Sequence, residues 1–270
     1  MKICRLMLFF LPLMLALTSA SAQSPALTGY NSENKSYQYA VFGRYPYTQE
    51  GETAPVLWRV LGPGVADQTD IINERNSRDF REEKYANADT LEGENSDLVC
   101  MITEYIIDVA MYHPIKDELY GTALDYANTQ IRETLNREIL PVLFTAQEQA
   151  VLADMPDRGL LSAPSRKGEL FNNAYGFISE DFGVHPARAA TGTPYAFAQG
   201  LRRINGYSWY WTTDWRRYGY RWIVGDNGHI SVSGCDRVGG VRPLCYVHAD
   251  QLEIAGGTGT LEDPFVLQVK

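Results

Sequence analysis

The pattern of hydrophobic and polar positions predicts strands in both halves of this chain and helices between them. Ile131, Leu135 and Ile139 recur four residues apart, which places them on one face of a helix. We expect this helix to end at Pro141, and a Thr-x-x-Glu capping box at 145–148 predicts the start of the next one. Aromatic and β-branched runs bounded by turn residues predict strands at 37–42, 55–61, 97–102 and 159–162.

The second half of the chain carries the clearest strand pattern, in the aromatic stretch from Trp209 to Cys245. Asp226-Asn227-Gly228 predicts a type I′ hairpin turn, because Asn and Gly tolerate positive φ. The pattern predicts strands at 209–213, 218–224, 229–233, 241–247 and 264–269, and short helices at 187–190 and 195–199. Strands, then helices, then strands again indicate an α+β fold whose first and last strands are adjacent.

Residues 1–22 have the features of a secretory signal peptide. Lys2 and Arg5 form a basic start, 6–17 is apolar, and the small residues at 19–22 resemble a cleavage site. The alternative is a transmembrane anchor, but the apolar run is shorter than the roughly 20 residues that cross a bilayer. We therefore expect the chain to be exported.

The residues after the signal peptide are enough for one α+β domain, which we place at 30–250. Within it, 65–97 is largely polar and predicts a solvated insertion, and 251–270 is a short β tail after it. The formal net charge is −9, and removal of the two basic residues of the signal peptide makes the chain more acidic. Because phosphate binding requires a basic face, this charge argues against nucleic acid as a partner.

Three cysteines follow the signal peptide, and an oxidising compartment favours a disulfide between two of them. Cys235 and Cys245 are the first choice, because they flank the entry into the last strong strand. A bond from Cys100 to either is the second choice, and three reduced cysteines are the third. No CxxC or HExxH spacing indicates a structural metal.

Aromatic and arginine residues concentrate at 209–222, which is the predicted binding surface. Indole and phenol rings stack on sugars or peptide side chains, and guanidinium groups bind carboxylates. The alternative is that part of this cluster is core, since alternation favours burial of Trp209, Trp211, Tyr220 and Trp222 and exposure of the connecting loop. The predicted ligand-binding residues are Trp211, Asp214, Trp215, Arg216, Arg217, Tyr218, Tyr220, Arg221, Asn227 and Arg242.

Nine short segments occur in an order that carries a family resemblance. They are FGRYP (42–46), WRVL (58–61), IRETLN (131–136), FTAQE (144–148), LLS (160–162), TPYA (193–196), WYWTT (209–213), DNGHIS (226–231) and GVRPL (240–244). Together they resemble a bacterial extracellular domain family of unknown function with a WWLRS…GVRPAL signature. The resemblance implies a C-type-lectin-like fold, with a mixed or antiparallel sheet core and helices inserted in the middle of the chain. Formylglycine-generating enzymes use the same architecture.

Two features that the resemblance suggests have alternatives. Arg242, in the GVRPL segment, is expected to tie the last strand to a carboxylate, with direct ligand contact as the alternative. Asp214, Asp226, Asn227 and Asp236 offer oxygen atoms that suit Ca²⁺ in lectin-like loops, but they lack EF-hand spacing. We therefore expect no cofactor and keep Ca²⁺ as an alternative.

The sequence contains no catalytic signature of the kinds considered. Cys235 and Cys245 do not match the copper-binding cysteine pair of formylglycine-generating enzymes, and no GxSxG motif occurs. Cys245 and His248 are offset by an odd number on one strand and so point to opposite faces. We therefore expect an exported, non-catalytic binding module at a bacterial cell surface or in the periplasm, with a carbohydrate or protein ligand. The alternatives are an enzyme of the formylglycine-generating or hydrolase type and an envelope structural protein.

Overall fold

The computed structural model describes residues 27–31, 36–63, 98–114, 125–165, 188–215 and 219–270. These residues form two sheets with short helices, which confirms the predicted α+β class. The predicted signal peptide at 1–22 and the predicted insertion at 65–97 lie outside the described residues. Within the described part of the chain, no helix has the length and apolar character needed to cross a bilayer.

The described strands belong to a seven-stranded and a five-stranded sheet. They are β1 (Tyr30–Asn31), β2 (Ser36–Pro46), β3 (Thr53–Pro63), β4 (Leu98–Thr103), β5 (Asp108–Met111), β6 (Tyr210–Trp215), β7 (Tyr220–Val224), β8 (Ile230–Gly234), β9 (Val238–Val241), β10 (Leu244–His248), β11 (Leu252–Gly256) and β12 (Phe265–Val269). The first sheet has the order β10-β4-β3-β2-β12-β11, with β1 also paired to β2. The second has the order β5-β9-β6-β7-β8.

Trp58 of β3 lies at the centre of the core beneath the first sheet. It is fully buried, and its indole Nε1 donates a hydrogen bond to the carbonyl oxygen of Phe42 at 2.8 Å. Its ring stacks on Phe144, which follows the main helical segment, with ring centroids 5.9 Å apart. The predicted strands at 37–42 and 55–61 are confirmed, because they fall within β2 and β3.

The helices in the middle of the chain cover one side of the core. They are α1 (Gln130–Glu133), a π-helical segment (Thr134–Ile139), α2 (Leu140–Leu143), α3 (Ala146–Gln149) and, later, α4 (Pro194–Ala198). Ile131, Leu135 and Ile139 are all buried, as predicted, and the capping box of Thr145 and Glu148 is formed. The expected stop at Pro141 is wrong. Pro141 lies in the first turn of α2, where a missing N–H is tolerated.

Two short predicted elements are also wrong. The predicted strand at 159–162 forms only isolated bridges, because the Asn136 side chain takes up both backbone groups of Leu161. Its amide donates to the Leu161 carbonyl at 2.8 Å and its oxygen accepts from the Leu161 N–H at 3.1 Å. In the predicted helix at 187–190, Ala190 instead pairs with Ser208 in an isolated bridge.

The β7–β8 hairpin of the second sheet is where the sequence predicted it, but its turn differs. Gly225 N–H donates to the His229 carbonyl at 2.7 Å, which leaves three residues in the loop. Gly228 has a φ of +79°, whereas Asn227 is not among the residues with positive φ. The turn is therefore a three-residue loop with glycine in the left-handed region and not the expected type I′ turn.

Arg242 ties the two sheets together. Its Nε donates to the carbonyl oxygen of Thr103 at the end of β4 at 2.8 Å, and Nη1 donates to the Tyr210 hydroxyl of β6 at 3.0 Å. Nη1 also donates to the carbonyl oxygen of Arg188 at 3.2 Å. Arg242 is 1 % exposed, and the partners that carry these bonds are carbonyl and hydroxyl oxygens and not the expected carboxylate.

The end of the chain returns to the first sheet. β12 pairs in parallel with β2, at Phe265 with Ala40 and Val266 with Val41. The expectation that the first and last predicted strands, at 37–42 and 264–269, are adjacent is therefore confirmed. The predicted tail at 251–270 supplies β11 and β12, the outer strands on that side of the sheet.

Candidate functional site

An open cleft of about 540 Å³ lies on the second sheet. Four aliphatic residues of different strands line it, and the loop at 200–202 borders it; they are Val109 of β5, Ile223 of β7, Val232 of β8 and Val238 of β9. Its volume is within the range of ordinary ligand sites, about 300–1,000 Å³. The cleft is therefore large enough for a few residues of a peptide or a small oligosaccharide.

Trp209, directly before β6, contributes an aromatic surface to the cleft. Its side chain is partly exposed, and its ring packs edge-to-face on Trp211 at a centroid distance of 4.9 Å. Gly239 of β9 leaves room for the ring, because a Cβ atom there would come closer than 3.0 Å to the Trp209 indole. The backbone of β9 and Trp211 thus fix Trp209 while part of its ring faces solvent.

Trp211 supports this arrangement from the core. It is 1 % exposed, and its Nε1 donates to the carbonyl oxygen of Ala110 on β5 at 2.9 Å. Tyr112 packs edge-on against its ring at 5.3 Å. Trp211 does not line the cleft, so its role in the structure is to support Trp209, in contrast to the predicted ligand contact.

Two arginines supply the charge of the cleft. Arg202 follows α4, and Arg237 precedes β9 in the turn that begins at Gly234. Both residues are exposed, and neither is in an ion pair with a described residue. Ser233 of β8 adds a hydroxyl group. The cleft therefore combines apolar walls, one indole and two guanidinium groups.

The predicted ligand-binding residues have three kinds of position. Arg221 is 2 % exposed with its guanidinium over the Tyr112 ring at 4.9 Å, and burial lowers its pKa. Like the buried Arg242, it therefore belongs to the core and does not reach the surface. Tyr220 is 50 % exposed and Asn227 is exposed in the hairpin turn, but both lie outside the cleft lining.

Two of the remaining predicted residues, Asp214 and Trp215, lie at the end of β6. Asp214 is half-buried and its Oδ2 accepts a hydrogen bond from the Ser165 hydroxyl at 3.4 Å. Trp215 closes β6, where its backbone pairs with Arg221 after an irregularity in the register. Arg216, Arg217 and Tyr218 lie outside the described residues. Over the described ranges, no three or more His, Cys, Asp or Glu side chains form a group that suits a metal ion.

The comparisons with known proteins give no function for the cleft. No family model, curated protein or solved structure matches this chain. The lining residues and their geometry are therefore the basis for a function.

The cysteines chosen for a disulfide lie in different sheets. Cys245 is on β10 in the first sheet, opposite Met101, whereas Cys235 follows β8 in the second. Both are buried, neither is disulfide-bonded, and burial raises the pKa of each thiol. The Cys235–Cys245 pair is thus not formed in the structure, because the two cysteines belong to different sheets.

A hydrogen bond between Tyr45 of β2 and Asp108 of β5 joins the two sheets outside the cleft. Tyr45 Oη donates to Asp108 Oδ2 at 2.5 Å, and the Val109 N–H donates to Asp108 Oδ1 at 2.8 Å. Burial raises the pKa of Asp108, although these two hydrogen bonds oppose the rise. Neither Tyr45 nor Asp108 lines the cleft, so their contact links the sheets and does not bring a reactive group to it.

Sequence reasoning missed the residues that give the cleft its character. Alternation assigned Trp209 to the core, and Arg202 and Arg237 stand in loops without a periodic pattern. One signal was available in the adjacent glycines Gly239 and Gly240, since glycine in a strand often marks the close approach of a large neighbour.

Proposed function

We propose that this chain is an exported, non-catalytic binding module that acts at a bacterial cell surface or in the periplasm and takes a segment of another protein in the cleft. The observation that carries the proposal is the partly exposed Trp209 ring, held over Gly239 inside a cleft of about 540 Å³. A large aromatic surface in a concave site that combines apolar and polar residues is typical of binding hot spots.

The lining favours a protein ligand over a carbohydrate. Its members include five aliphatic residues and one tryptophan, whereas Ser233 provides a hydroxyl and the two arginine side chains only donate hydrogen bonds. Sugar hydroxyl groups require acceptors as well as donors, and none of the described lining residues is an acid or an amide. Apolar peptide side chains are better suited to these walls.

The same lining favours binding over catalysis. Its charged members are Arg202 and Arg237, whose guanidinium groups donate hydrogen bonds and accept none. The described acid with a raised pKa, Asp108, is engaged with Tyr45 away from the cleft. We also propose that the two sheets represent the C-type-lectin-like fold that the sequence resemblance implies, a detail with which the α+β class is compatible.

The proposal is tested by ligand screening followed by mutation. The mature protein is applied to an array of octapeptides and to a glycan array, and the affinity for the best hit is measured by calorimetry. Trp209→Ala is expected to weaken binding at least about 30-fold, the usual effect of removing a hot-spot residue. Tyr220→Ala, which removes an exposed ring outside the cleft, is the matched control and should bind like the wild type.

Thermal unfolding of both variants shows whether the fold is kept. Equal affinity of folded Trp209→Ala and Tyr220→Ala would refute the assignment of the cleft. Binding to glycans alone would refute the choice of a protein ligand.

A further inference from the structure

The edge strand β8 of the second sheet has backbone groups that face away from the sheet. Antiparallel pairs alternate between residues that exchange hydrogen bonds and residues that do not. At one end of the β7–β8 ladder, Gly225 N–H donates to the His229 carbonyl at 2.7 Å. At the other end, Cys235 N–H donates to the Gly219 carbonyl at 2.8 Å. The odd-numbered residues of β8 therefore make the bonds to β7.

The N–H and C=O groups of Ile230 and Val232 consequently point to the open edge. β8 is the last strand of the sheet, and no described backbone group bonds to these two residues on that side. Such an edge is a template for an added strand. Val232 also lines the cleft, so one residue belongs both to the open edge and to the candidate site.

Charge provides the second, independent observation. Arg202 and Arg237 line the same cleft, and neither forms an ion pair with a described residue. Guanidinium groups bind carboxylates through paired hydrogen bonds. The occupant therefore needs a carboxylate near its apolar part.

We infer that the cleft takes the free C-terminus of an extended peptide, which adds to the edge of β8 at Val232 and places its terminal carboxylate at Arg202 and Arg237. This inference rests on the proposed function and specifies its ligand. A C-terminal residue with an apolar side chain supplies a carboxylate, an apolar group and a strand-forming backbone at one position. An internal Asp or Glu supplies the charge but no apolar side chain.

The overall charge limits the peptide further. The chain has a formal net charge of −9, so a peptide with many acidic residues is repelled. One carboxylate on a neutral or basic peptide is the favoured combination. The terminal residue is expected to be aliphatic or aromatic, because Ile223 and Val238 line the cleft.

The experiment compares octapeptides of random sequence, each presented with a free C-terminal carboxylate and as the C-terminal amide. Binding is expected for free acids with an apolar last residue and to be at least about ten-fold weaker for their amides. Arg202→Ala and Arg237→Ala should each weaken binding of the acid by a similar factor and leave binding of the amide almost unchanged.

Arg203→Ala is the matched control for these variants. Arg203 is the exposed neighbour of Arg202, but its guanidinium lies over the Phe197 ring at 4.3 Å and it does not line the cleft. Its replacement should not change the affinity for the acid. A loss of affinity equal to that of Arg202→Ala would overturn the assignment of the carboxylate.

The added strand is tested at Val232. Val232→Pro removes the outward N–H, which proline at an edge position permits, whereas Val232→Thr keeps it. Proline should weaken peptide binding at least about ten-fold relative to threonine, with both variants folded by circular dichroism. Equal binding of the two folded variants would overturn strand addition. The comparison of free acids with amides tests the role of the terminal carboxylate separately and needs no mutation.

The outcomes separate the two proposals. Peptides that bind equally well as acids and amides would overturn the inference and leave the proposed function standing. Failure of every peptide in both forms, or binding to glycans alone, would overturn both.

Discussion

Gly239 offers the sharpest test of how the cleft is built, because alanine at this position must displace Trp209. The backbone of Gly239 has no positive φ, so alanine adds no backbone strain. Its Cβ would lie closer than 3.0 Å to the Trp209 indole and at 2.9 Å from Nε1 of Trp211. Both neighbours are rigid rings, which leaves little freedom to relieve the overlap.

The expected loss of stability follows from these contacts. Overpacking of a well-packed site costs about 1–3 kcal/mol. Displacement of Trp209 also removes its edge-to-face contact with Trp211, and such contacts contribute about 0.5–1.5 kcal/mol. We therefore expect Gly239→Ala to lower the free energy of unfolding by about 2–3 kcal/mol and to weaken ligand binding, because the Trp209 ring leaves its place.

Urea unfolding followed by tryptophan fluorescence measures the effect, with Gly256→Ala as the matched control. Gly256 also lies in a strand without positive φ, and a Cβ there would meet only Val266 at 3.9 Å, an ordinary contact. The control should stay within about 0.5 kcal/mol of the wild type. Trp209→Leu in the Gly239→Ala background should cost less than the sum of the single changes, since it removes the overlap. Equal stability of Gly239→Ala and Gly256→Ala would refute the placement of Trp209 on β9.

Two further predictions concern the contacts between the sheets. The raised pKa of Asp108 means that its contribution to stability is complete below its ordinary pKa of 3.8 and is lost as pH rises through the folded-state pKa. In urea unfolding, Asp108→Asn should therefore become more stable relative to the wild type from pH 4 to pH 8. A difference in the free energy of unfolding that stays constant over this range would contradict the raised pKa of Asp108. Arg242→Met removes three hydrogen bonds and is expected to lower the free energy of unfolding by about 2–4 kcal/mol, offset in part by the loss of a buried charge. The exposed Arg203→Met should change it by less than about 0.5 kcal/mol, so similar losses in both variants would contradict the role of Arg242.

The local pattern of hydrophobic residues predicted the structure correctly where contacts between near neighbours in the chain determine it. The row of Ile131, Leu135 and Ile139 was recognised because a helix repeats every 3.6 residues, whatever packs on it. The errors arose where a contact from elsewhere intervened. Asn136 holds the backbone of Leu161 and replaces the strand predicted at 159–162 by isolated bridges.

The sequence by itself determined the α+β class, the buried helix face and the place of the β7–β8 hairpin. These features depend on periodicity, capping and turn residues, which act over a few positions. The alternation of side chains along a strand also predicted that Trp209 and Trp211 lie on the same face of the sheet.

Only the tertiary structure decided which of these two tryptophans reaches solvent. Trp211 is covered by Ala110 and Tyr112, about a hundred positions earlier in the chain, whereas Trp209 lies over Gly239 at the open cleft. The positions of Arg202 and Arg237 beside the cleft were decided in the same way. Exposure depends on what the other strands bring alongside a residue, and a pattern within one strand carries no information about that.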